Sequence, residues 1–233
     1  MLGFDKVRTN QLLFSTPFRE GVGTLTRDVA KTRNRGLTLV GAPDWVSIAS
    51  GLPVLDFDGA ADYAELAGAS CADLNFTSED YSLTCWLYRE NPVSSDMLMA
   101  RYELDVSGWE TYFYTNGAHE YLTLRHHHAT EASPRTGCYS DDWAIDQWWF
   151  LGITRSGLYP RHYRNGQEVE VTYDAGGLLD PDTCARDLVL STRYTKDTDW
   201  FNGKIWDPRI WLGELTAIQM RTLFNMDRHW FLS

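Results

Sequence analysis

A chain of 233 residues that is 43% hydrophobic and 14% aromatic can bury a full core, and all-β sandwiches of roughly 200 to 250 residues commonly fold as one domain. Its 32 Asp and Glu against 21 Lys and Arg give a net charge of -11, which repels phosphate backbones and anionic lipid and sets nucleic acid and membrane insertion aside as partners. No stretch reaches the ~20 apolar residues of a bilayer span, and the start MLGFDKVRTNQLLF lacks the pattern of an export signal, so synthesis in the cytoplasm is expected.

In chain order, Met1 to Gln11 precede the first strand pattern and read as an N-terminal arm, with residues 12–233 as a single domain. Short alternating runs follow, among them Tyr81 to Tyr88 and Glu120 to Arg125, each bounded by Gly, Pro, Asn, Asp or Ser. Thr111 to Thr115, Trp148 to Thr154, Pro160 to Tyr163, Glu168 to Tyr173, Asp187 to Leu190 and Gly203 to Leu212 share that length and punctuation. Asn116-Gly117, Asn165-Gly166 and Asn202-Gly203 offer the positive φ angles of tight hairpin turns. Tyr139 to Asp142 reads as a polar turn. In Gly203 to Leu212, the residues Ile205, Asp207, Arg209 and Trp211 fall on one face, Pro208 marks a bulge or edge, and both faces are expected to be covered over part of the length. Thr216 to Met226 is the one helical pattern, with a Thr216 and Gln219 capping box and an apolar stripe of Ile218, Leu223 and Phe224. The expected fold is therefore all-β: an antiparallel two-sheet jelly-roll sandwich with one short C-terminal helix. The four cysteines, Cys71, Cys85, Cys138 and Cys184, contain no Cys-x-x-Cys pair, and buried free thiols are favoured over two disulfides.

The order of several motifs resembles the laminin-G-like, concanavalin A-like jelly rolls, a family similar to pentraxins and legume lectins, from about Leu12 to the C-terminus. The motifs are Leu13-Phe14 through Glu20-Gly21-Val22-Gly23, Asp28 with Leu37 to Gly41, Leu55-Asp56-Phe57-Asp58-Gly59 with Asp62-Tyr63, and Tyr81 to Leu87. Trp148 to Gly157 with His162 to Gly166, and Phe201 to Trp211 leading into the helix, complete them. Pentraxins pair the cysteine matching Cys85 with one at the place of Gly152, so that disulfide is absent. Related jelly rolls draw calcium ligands from loops at one rim, and the resemblance implies a calcium site at Asp105, Asp197 and Asp199.

The same sandwich hosts glycoside hydrolases, which use two carboxylates flanking the scissile bond. Glu103-Leu104-Asp105-Val106 resembles the Glu-x-Asp-x opening of family-16 enzymes, but Ser107 and Gly108 stand where the general acid belongs, so no catalytic residue is expected. The run His126-His127-His128, with His119 nearby, lacks the third or fourth ligand a zinc site needs. Sugar recognition combines an aromatic platform with nearby hydrogen-bonding groups. Trp86, Trp149 and Trp211 read as core, whereas Trp109, Tyr194 and Trp200 read as loop-placed carbohydrate contacts. Two functions stay open. One is a non-catalytic module recognising a glycan or cell-surface ligand, on a virus-like particle or elsewhere outside the cell. The other is a structural assembly protein, a virion decoration, fibre or filament subunit, that self-associates or joins other particle proteins through its rims and arm.

Overall fold

The computed structural model describes residues 11–30, 35–92, 95–131, 135–139, 143–172 and 177–232, with residues 135–139 described by their backbone. The arm Met1 to Gln11, apart from Gln11, and the turn at Ser140 to Asp142 lie outside the described residues, as does Tyr173. The chain forms two antiparallel sheets. In sheet A the order is β14 (Gln167–Val169), β13 (Tyr159–Arg164), β12 (Trp148–Ser156), β7 (Tyr81–Arg89), β16 (Asn202–Leu212), β5 (Pro53–Asp58) and β4 (Asp44–Ser47), with β1 (Leu12–Ser15) beside the second half of β16. In sheet B the order is β11 (Arg135–Tyr139), β10 (His119–His126), β9 (Ser107–Asn116), β8 (Ser95–Glu103), β15 (Leu188–Leu190), β6 (Tyr63–Leu66), β3 (Gly36–Val40) and β2 (Leu25–Arg27).

The two inner faces supply the core by strict alternation. Leu83, Cys85 and Leu87 of β7 meet Trp109 and Phe113 of β9 and Leu122 and Leu124 of β10 in one buried cluster. Cys71, Cys85 and Cys184 are buried free thiols. One cation crosses the sandwich: Arg89 of β7, 0% exposed, donates to Asp96 of β8 at 2.5 Å and to Glu120 of β10, with its guanidinium 4.0 Å from the Phe113 ring. A buried guanidinium needs such paired carboxylates to offset its lost hydration.

β16 departs from simple alternation. Its register against β7 shifts between Trp206 and Arg209, where Asp207 adopts a φ of 46°, so the bulge expected at Pro208 is present. The extra residue changes which side chains share a face. Ile205 and Ile210 enter the core while Trp206 and Trp211 point outward, which corrects the expected row from Ile205 to Trp211. The outward face is covered, as expected, by α1 (Ala217–Asp227). Thr216 caps α1 through a complete capping box with Gln219. Met220 and Leu223 form its buried face, whereas Ile218 is 64% exposed and lies outside it, a correction to the apolar stripe. At Gly152 on β12 a Cβ would stand 2.7 Å from the Met220 sulfur, so the bare glycine lets Met220 of the helix pack close to the strand.

Asn202-Gly203 is not a hairpin turn: it opens β16, and Gly203, at a φ of 132°, packs where a Cβ would meet the Tyr88 carbonyl at 2.1 Å. Asn165 and Gly166, at φ of 49° and 73°, do form the tight turn between β13 and β14.

Past α1, Phe231 completes the cover on sheet A. Its ring stacks on Trp86 at 4.3 Å and lies 4.7 Å from Trp148 and 5.4 Å from Trp206. Among the described residues no helix covers the outer face of sheet B. Phe231→Ala is expected to cost about 3 kcal/mol in urea unfolding, the lower end for a buried aromatic truncation. A loss below about 1 kcal/mol would show that the C-terminal turn contributes little to the sandwich.

Candidate functional site

The outer face of sheet B follows from the pleat of β9. Trp109 and Phe113 face the core, so Glu110, Tyr112 and Tyr114 face outward. Cross-strand pairing sets their neighbours: Glu110 lies opposite Arg125 of β10 and Ala100 of β8, and Tyr112 opposite Thr123 and Met97. β8 carries a register shift between Met97 and Met99, and there residues 191–201 run alongside it. The Met97 amide donates to the Asp199 carbonyl at 3.1 Å, and Ser191 donates to the Leu98 carbonyl at 3.3 Å. Positive φ at Ser191, Lys196 and Asp199 (74°, 61° and 55°) lets this segment turn onto the sheet.

Together these residues make a shallow groove of about 160 Å³ along β8 and β9, lined by Met97, Tyr102, Glu110, Tyr112, Tyr114, Arg125, Arg193 and Asp199. That volume is about half the ~300 Å³ lower limit for enclosed small-molecule sites, so a ligand here would lie largely along an open surface.

The floor of the groove is a buried polar network. His127 Nδ1 accepts from the Asp105 amide at 3.1 Å, which places the ring proton on Nε2, and Nε2 donates to Glu110 at 3.0 Å. The Tyr102 ring stacks on His127 at 4.6 Å and lines the groove beside Glu110 and Arg193. Burial, reinforced by the Glu110 charge, pushes the Tyr102 phenol well above its usual range. Glu110, 3% exposed, is thus engaged from several sides. Asp199 faces Arg193 at 3.7 Å; burial raises its carboxyl above the usual range while the Arg193 charge opposes that shift. Each carboxylate of the groove therefore already holds a partner.

The residues expected from the sequence scatter with respect to this groove. Trp109 is not on a loop: it sits in β9, 1% exposed, with its indole donating to the Leu74 carbonyl at 3.0 Å, because the inner parity of β9 runs through it. It belongs to the core and is withdrawn as a sugar contact. Tyr194 reaches the groove, meeting Tyr102 edge-on at 4.9 Å. Trp200 lies farther along the same segment, over Tyr63 of β6 at 6.1 Å. Asp199 lines the groove. Asp105, in the turn after β8 and 63% exposed, pairs with Arg125 at 2.8 Å, while Asp197 accepts from Thr195. Among the described residues no group of three or more His, Cys, Asp or Glu is placed to hold a metal, and the carboxylates of Asp105 and Asp199 face arginines. The three aspartates are thus not gathered into one cluster.

Glu103 ends β8 and pairs with Arg186 at 2.7 Å across its exposed rim. The three histidines alternate in environment. His126 faces inward to the Tyr81 hydroxyl at 2.7 Å and the Leu179 carbonyl at 2.7 Å, His127 faces Glu110, and His128 approaches Asp182 at 4.0 Å. Tyr102, Tyr112, Tyr114, Arg125 and Arg193 were not singled out from the sequence, although the alternation of Glu110, Tyr112 and Tyr114 with Trp109, Thr111 and Phe113 marks a strand with large side chains on both faces.

A family model of the concanavalin A-like lectin/glucanases superfamily, Laminin_G_3, matches residues 58–220, and the chain belongs to that family. Its fold is also that of botulinum neurotoxin structures. One, of type C, concerns interaction with two ganglioside molecules (TM-score 0.70, 13% identity, 94% of this chain and 51% of that chain). A second is the binding domain of neurotoxin DC in complex with rat synaptotagmin II (TM-score 0.67, 14% identity, 94% and 52%). A third is the serotype C1 binding domain (TM-score 0.68, 16% identity, 94% and 52%). The chain spans about half the length of these structures. No curated protein matches it by sequence.

The inward histidine has a consequence for acid stability. Burial lowers both His126 and His162 of β13 from 6.5 to about 3. As pH falls through 6.5 the unfolded chain takes up these protons and the folded chain does not, so stability is lost between pH 6.5 and about 3. From pH 7 to pH 5 the two histidines together are expected to remove about 4 kcal/mol, read from urea midpoints. Equal midpoints at the two pH values would contradict their neutral burial.

Proposed function

We propose that the protein is a non-catalytic recognition module that binds a glycan at the outer face of sheet B. The observation that carries this reading is the groove along β8 and β9, where tyrosine rings border hydrogen-bonding side chains already fixed in place by their own partners. Ring faces take the apolar side of a sugar, and preorganised Arg, Asp and Tyr groups meet its hydroxyls with little ordering cost. Tyr194 and Trp200, on the segment that flanks the groove, extend the aromatic surface toward β6.

Binding without catalysis accords with the state of the carboxylates. Glu110 is buried and hydrogen-bonded, Asp199 faces Arg193, and Glu103 pairs with Arg186, so no free acid and base flank the groove among them. The superfamily that contains lectins supports the reading, as do the ganglioside and synaptotagmin interactions of the structurally similar neurotoxins. The alternative, particle assembly through the sandwich rims and the arm, draws in part on Met1 to Gln11, which outside Gln11 lie beyond the described residues.

The test is a glycan array probed with the full chain, followed by titration of the best binder. Tyr114→Ala and Arg193→Ala are each expected to weaken binding about tenfold or more with little change in melting temperature. An array without any binder would overturn the reading, as would a bound glycan whose affinity ignores both substitutions.

A further inference from the structure

The groove is long. Ser95 at one end of β8 faces Tyr114, and Tyr102 near the other faces Gly108, so at ~3.3 Å per residue the floor extends about 20 Å along the strands. A single sugar ring would span only part of that length.

The charges along this face are also closed. Arg125 pairs with Asp105 at 2.8 Å and lies 3.9 Å from Glu110, Arg193 faces Asp199 at 3.7 Å, Arg186 pairs with Glu103 at 2.7 Å, and Lys196 pairs with Glu65 at 2.5 Å and Asp187 at 2.7 Å. These four cations thus stand among six carboxylates, in a chain whose net charge is -11. An acidic sugar would have to displace an aspartate from its arginine and would then sit beside the negative charge of Glu110. A neutral sugar has no such cost. Its adjacent hydroxyls can donate to a carboxylate oxygen of Asp199 while accepting from the Arg193 guanidinium, leaving that pair in place.

We infer that the groove selects neutral, extended oligosaccharide chains over sialylated or uronic-acid-containing ones, the Asp105–Arg125 and Asp199–Arg193 pairs acting as the filter. The inference rests on the recognition reading above and narrows it to a ligand class. Tyr114 and Tyr194 supply ring surface, and the paired charges exclude anions by occupying the cations that would hold them.

The experiment compares matched glycans on one array and in titration with the full chain: neutral linear tetrasaccharides, their monosaccharide units, and the same tetrasaccharides capped with sialic acid or oxidised to uronic acids. The neutral tetrasaccharide is expected to bind at least about tenfold more tightly than both its monosaccharide and its acidic counterparts. Asp199→Asn, which leaves Arg193 without its counter-charge, and Asp105→Asn, on an exposed turn where folding is not at stake, are each expected to raise binding of the acidic chain severalfold. Preference of the unaltered protein for the acidic chain, equal affinity for monosaccharide and tetrasaccharide, or an unchanged ratio in both variants would overturn the inference while leaving glycan recognition intact. Absence of any glycan binding would overturn both.

Discussion

The period of two in β9 is the constraint on which the site depends. Trp109 and Phe113 are committed to the core, where they meet residues of both sheets, and that commitment leaves Glu110, Tyr112 and Tyr114 no place but the outer face. A slip of one residue would turn a carboxylate and two phenols in between the sheets and an indole out of them, so the core enforces which side chains line the outer face. Pairing then carries the same parity to Arg125 on β10 and Tyr102 on β8, and the shift at Met97 makes room for residues 191–201 to wall the groove.

The two sheets are finished differently. On sheet A the bulge at Asp207 turns Trp206 and Trp211 outward, and α1 with Phe231 covers them, so this face is a second core. On sheet B the outward residues Met97, Ala100, Tyr102, Tyr112 and Val189 form a smaller buried cluster beside residues 191–201, bordered by ion pairs. Surface ion pairs of this kind contribute little to stability, ~0 to 1 kcal/mol each. Their arrangement around one groove therefore has its consequence in what the face can bind.

Sequence reading reached the sandwich because strands such as β7, β12 and β16 carry apolar alternation between turn residues, and reached α1 because Thr216 and Gln219 form a capping box that is present in full. It did not reach β8, where Asp96 and Arg101 point inward and break the apolar pattern; their burial is made tolerable by partners distant in sequence, Arg89 for Asp96 and Asn75 with Cys71 for Arg101. Trp109 was expected on a loop, whereas Ser107-Gly108 already open β9 and the pleat of that strand turns Trp109 into the core. Tyr194, Trp200 and Asp199 were legible as loop residues, but their position over sheet B depends on hydrogen bonds from the Met97 amide and to the Leu98 carbonyl of a distant strand that no local pattern encodes.

The central claim, that the outer face of β8 and β9 is the recognition surface, is tested most directly by a crystal structure of the full chain with the tightest glycan bound. The account predicts sugar rings lying along the groove, with Tyr114 or Tyr194 against a ring face and hydroxyls bonded to Arg193 and Asp199. A glycan seated instead on sheet A, at the α1 side, or on the turns that end the sandwich, with this groove empty, would contradict it.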